Sequence, residues 1–86
     1  MTNPRTHNSP FAFDHEHLKA LRQDAGMSMI ELGVRLYQLG IAKAPTSRQQ
    51  VWEWESGACR PNSATLRGLA EIFGVTMESF FKKAEE

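Results

Sequence analysis

Four glycines, Gly26, Gly40, Gly57 and Gly74, each stand one step past a run of apolar residues at helical spacing. Glycine closes helices because it takes up left-handed backbone angles without steric cost, so this pattern predicts short helices joined by turns. The first run, Leu18, Leu21 and Ala25, follows Asp14 as an N-cap, with Phe13 placed to staple onto Leu18. The second opens on the capping box Ser28–Glu31, flanked by Met27 and Leu32, and continues through Leu36 and Leu39. Pro45 disfavours helical geometry at Ala44, so IAKAPT reads as a loop of about six residues. Thr46 or Ser47 then caps a third helix with Val51 and Trp54 as its buried stripe. Asn62 caps a fourth that carries Leu66, Leu69, Ala70 and Phe73, and Thr76 a fifth, with Val75 and Phe80 as its staple.

Five short helices without period-two apolar alternation predict an all-α, compact bundle with little room for a sheet. With 86 residues, 41% of them hydrophobic, the chain has material for one core. Residues 1–12, with two prolines and several turn formers, read as a flexible N-terminal arm ahead of a domain spanning 13–86. Cys59 is the only cysteine, which excludes an internal disulfide and a cysteine-based zinc site and suits a reducing compartment. No apolar run reaches the length of a membrane span and the first residues lack a secretion signal's apolar region, so a cytoplasmic location is expected. His15 and His17 bracket Glu16, but residues two apart on a helix face different ways, which argues against a metal site. No nucleophile stands with a base and no glycine-rich phosphate loop is present, so neither catalysis nor a cofactor is expected.

The segment from Leu18 to Phe81, about three quarters of the chain, resembles the helix-turn-helix domain of the Cro, lambda-repressor and xenobiotic-response-element family. The likeness rests on an ordered set: LKALRQDAGMS (18–28), IELG (30–33), SRQQVWEWESG (47–57) and RPNSATLRGLAEIFGV (60–75). The resemblance implies a lambda-repressor-like fold, DNA binding through the third helix, and a buried ion pair of Arg22 with Glu55. It also implies a symmetric homodimer on two half-sites of double-stranded DNA. The chain departs from the family pattern in two places. About eight extra residues between Leu32 and Glu55 lengthen the second helix and the loop after it. Met29 stands where relatives carry a glutamine that meets phosphate.

A helical wheel of the third helix, with Val51 inward, clusters Val51, Trp54 and Glu55 on one side. Gln49, Trp52 and Glu53 point away, and Arg48 and Gln50 lie on the flanks. Arg matches guanine and Gln matches adenine in the major groove, Glu accepts from cytosine, and Trp packs on thymine methyls or sugar. Arg48, Gln49, Gln50, Trp52 and Glu53 are therefore the candidate base-reading residues. Ser28, Lys43, Ser47, Arg60 and Asn62 are candidates for the DNA backbone, with Lys43 on a loop projecting toward it. Ten Lys+Arg balance ten Asp+Glu, so no bulk positive field exists and charge placement has to do this work. From Arg35 to Arg67 five basic residues stand against two acidic ones, a net +3 on a neutral molecule.

Met77, Phe80, Phe81 and Ala84 form an apolar stripe at helical spacing, read either as core or as a dimer contact. Arg5 in the arm is a weaker candidate for the minor groove. The resemblance implies a sequence-specific DNA-binding transcriptional regulator, most simply a repressor. The rival readings are an antitoxin-type protein holding a partner through its C-terminal helix, and a coactivator that bridges proteins without reading bases.

Overall fold

The computed structural model describes residues 11–83. In chain order these form β1 (Phe11–Phe13), α1 (His15–Asp24), α2 (Met29–Gln38), α3 (Arg48–Ser56), α4 (Ser63–Phe73), a 3-10 helix (Met77–Phe80) and β2 (Phe81–Lys83). Among the described residues the fold is mostly helical, with four α-helices and one short sheet.

Local chemistry fixes the helix starts. Asp14 accepts from the His17 amide at 3.1 Å, and Asn62 from the Thr65 amide at 2.8 Å. Ser28 and Glu31 form the full reciprocal box, Glu31 N–H to Ser28 Oγ at 3.0 Å and Ser28 N–H to Glu31 Oε1 at 2.8 Å. Each cap satisfies amides that the first turn leaves without an intrahelical partner. At the other end of α3, Gly57 takes φ +87°, an angle that a side chain would strain.

The four helices converge on one core. Leu18 of α1, Leu32 and Leu36 of α2, Val51 of α3 and Leu69 of α4 are fully buried, as is Phe80 from the 3-10 helix. α3 packs on both α1 and α2, while α4 packs on α2 and the 3-10 helix. The nine residues 39–47 that link α2 to α3 do not swing free. Ile41 N–H bonds the Leu36 carbonyl at 3.0 Å, and the Ile41 side chain lies so close to Gly68 that a Cβ there would sit 2.7 Å from it. Farther along, Thr46 N–H bonds the Gly33 carbonyl at 3.2 Å, and a Cβ on Gly33 would overlap the Thr46 carbonyl oxygen. Two glycines inside helices thus provide the seats on which the linker rests.

The C-terminal segment differs from the sequence expectation. A fifth helix beginning at Thr76 is replaced by one 3-10 turn, Thr76 makes no side-chain cap, and the backbone becomes extended at Phe81. β2 pairs antiparallel with β1 in the register Phe11↔Lys83, Ala12↔Lys82 and Phe13↔Phe81. Neighbouring residues of a strand point to opposite faces, whereas successive residues of a helix are turned by only about 100°. The switch to extended backbone sends Phe80 into the core and leaves Phe81 half-buried beside Phe13, whose ring lies 6.3 Å from each. Phe11 and Ala12, which the sequence placed in the arm, thus belong to β1. Residues 1–10, including Arg5, and residues 84–86, including Ala84, lie outside the described residues.

Candidate nucleic-acid interface

α3 is held from three sides. Val51 and Trp54 enter the core, and beside them the Glu55 carboxylate is buried against Arg22 of α1. That contact is bidentate, Arg22 Nε to Glu55 Oε2 at 2.6 Å and Nη2 to Oε1 at 3.0 Å. Arg22 Nη1 also donates to the Met27 carbonyl at 2.8 Å, so one guanidinium joins α1, the turn before α2 and the end of α3. His15 adds Nδ1 to the Glu55 carbonyl oxygen at 2.9 Å. Among the described residues no group of His, Cys, Asp or Glu is arranged to hold a metal ion.

The opposite side of α3 is open. Arg48 and Gln49 are exposed and Trp52 is 49% exposed, while Gln50 and Glu53 are half-buried. Arg48, Gln49 and Trp52 line an open groove together with Met29, the first residue of α2. The groove has polar groups on α3 and a thioether on α2, beside the flat face of an indole. Met29 stood out in the sequence only for what it lacks relative to the family pattern. Its place on this wall depends on how α2 crosses α3, which no local spacing reveals.

Glu53 organises the polar part of this face. Gln49 Nε2 and Gln50 Nε2 each donate to its carboxylate at 3.3 Å. A carboxylate only accepts, so both glutamine amides turn their NH2 ends toward Glu53. Gln50 Nε2 also reaches Cys59 Sγ at 3.4 Å, and the Cys59 thiol lies 3.9 Å from Glu53 Oε1. Cys59 is thus drawn into the edge of the site. Ser47 is the cap, its Oγ accepting from the Gln50 amide at 3.1 Å, and Thr46 is used instead by its backbone. Gln50 points along α3 rather than back to the cap.

The backbone-contact candidates are scattered over the structure. Ser28, Ser47 and Asn62 are exposed at the starts of α2, α3 and α4, with their oxygens already engaged as caps. The serine hydroxyl protons and the Asn62 amide protons are what each has left to donate. Lys43 is exposed on the docked linker. Arg60 is exposed and stacks its guanidinium over the Phe81 ring at 5.5 Å, which fixes its reach from the β2 side of the molecule.

Of the proposed dimer-contact residues, Phe80 is fully buried and belongs to the core, and Met77 and Phe81 are half-buried. The stripe required a continuing helix, and the extended backbone after Phe80 dissolves it. Among the described residues no helix is long and apolar enough to cross a membrane. No family model, no curated protein and no solved structure matches the chain.

Proposed function

We propose that this chain is a sequence-specific DNA-binding transcriptional regulator that inserts α3 into the major groove, acting as a repressor of the lambda-repressor-like helix-turn-helix type. The supporting observation is the division of α3 into two faces. One is locked by Val51, Trp54 and the Arg22–Glu55 pair, and the other presents Arg48, Gln49 and Trp52 clear of the fold. A reading helix needs both properties, because base discrimination demands side chains that reach out from a backbone that does not move.

In this reading Arg48 and Gln49 address base edges, and Trp52 with Met29 packs against thymine methyls or sugar. Glu53 acts chiefly by orienting the two glutamines, and its charge rejects acceptor-rich base edges. Lys43, Arg60 and the donors left on Ser28, Ser47 and Asn62 contact phosphates and set the docking angle. Two copies on DNA would read half-sites about one helical turn apart.

Selection from a pool of random duplexes tests this directly. Enrichment of a defined motif, two-fold symmetric for a dimer, is the expected result. A pool that stays random after repeated rounds, at low salt and with folded protein, defeats the proposal.

A further inference from the structure

The core face of α2 is occupied by Leu32, Gly33 and Leu36, and its outer side carries a short apolar strip among charged and polar residues. Ile30 is 60% exposed, and it lines a shallow groove with Met27, Glu31, Val34, Arg35 and Gln38. Ile30 and Val34 are one helical turn apart, and Glu31 and Arg35 run beside them as a second row with the same spacing. Glu31 and Arg35 stand at the i,i+4 separation that favours an ion pair, yet among the described residues Arg35 pairs with no carboxylate. Glu31 instead turns Oε1 back to the Ser28 amide at 2.8 Å. Its Oε2 and the Arg35 guanidinium are left at the rim of an apolar stripe.

We propose that the outer face of α2 is the surface on which a second copy of this chain docks, antiparallel and about a two-fold axis crossing α2 near its middle. The charge order selects this occupant. Such an axis carries the Glu31–Arg35 row of one copy onto the same flank as that of the other, with direction reversed. Glu31 of each copy then meets Arg35 of its partner, giving two symmetric ion pairs along one edge. The two Val34 side chains meet near the axis, with Ile30 of each copy beside them, so the stripes cover one another. A parallel two-fold would carry the two rows to opposite edges of the interface, where neither Glu31 nor Arg35 would meet its opposite charge. The stripe is small, so the dimer belongs to the weak, concentration-dependent class. This inference stands apart from the reading of α3 and needs no DNA.

Sedimentation equilibrium on the full chain, from micromolar to millimolar concentration, tests it. The wild-type chain passes from monomer to dimer over this range. Ile30→Glu and Arg35→Glu each weaken the dimer by about tenfold or more, the second by placing four carboxylates along one edge. Glu31→Lys does the same with four cations. Mixing Arg35→Glu with Glu31→Lys restores opposite charge at both sites, so a heterodimer of near wild-type affinity forms. Ile30→Glu touches neither the cap nor an ion pair, so it carries the test even where loss of the capping box lowers the stability of Glu31→Lys. A wild-type chain that stays monomeric throughout overturns the proposal. So does a dimer that Ile30→Glu and Arg35→Glu leave intact, or a mixture that forms no heterodimer.

Discussion

The Arg22–Glu55 pair does more than its two hydrogen bonds suggest. Both residues are buried, and the same guanidinium binds the Met27 carbonyl, so losing either partner strands a charge in a dry site and frees one end of α3. Glu55→Ala is expected to cost about 3–5 kcal/mol in urea denaturation. Replacing the pair together, Arg22→Met with Glu55→Leu, should cost far less than Glu55→Ala, because no unpaired charge remains. Equal losses for the single and double variants would show that the cost is packing alone. Gln49 is the opposite kind of residue, exposed and, among the described residues, with its side chain bonded only to Glu53. Gln49→Ala should leave the melting temperature unchanged. It should cost about 1–3 kcal/mol of binding at one base pair of the selected motif, read by competition among single-base variants. A loss equal on all sequences would remove Gln49 from base reading.

At the scale of elements, the helix starts were legible and the seats between helices were not. Asp14, Ser28 and Asn62 announce themselves because a cap is bonded within three residues of itself. The outer face of α3 was readable for a similar reason, since a wheel needs only the helix and one inward residue. Gly33 gives no comparable local signal. Its purpose depends on Thr46, which arrives only after the linker has crossed α2 and returned. The strand at Phe81 was missed on the same ground. Its partners Phe11–Phe13 lie at the other end of the chain, and three residues carry too little alternation to betray a strand. Gly33 also supplies a test of sign. Gly→Ala inside a helix ordinarily stabilises by about 0.8–1 kcal/mol. Here the new methyl meets backbone rather than a yielding side chain, so Gly33→Ala should lower stability by about 1–3 kcal/mol and loosen residues 39–47. A rise in melting temperature would mean that the linker does not rest on α2.

Across the whole molecule, charge is balanced overall and uneven locally. Ten basic and ten acidic residues cancel, so there is no long-range pull toward a polyanion, and DNA affinity has to come from groups that touch it. The segment from Arg35 to Arg67 carries five of the basic residues, among them Lys43 on the linker and Arg60 after α3. Each phosphate neutralised releases condensed counterions, so the logarithm of affinity falls with the logarithm of salt by about 0.9 per contact. Arg60→Ala should therefore flatten that slope by about one and weaken selected and random duplexes alike, whereas Gln49→Ala should leave the slope as it is. Removal of Arg60 also uncovers the Phe81 ring, so its folding stability has to be measured alongside. An unchanged slope, with the fold intact, would place Arg60 away from the DNA and confine it to covering the strand pair. Lys43→Ala separates the two effects, because Lys43 makes no contact with an aromatic ring among the described residues. It should flatten the slope while the melting temperature stays fixed.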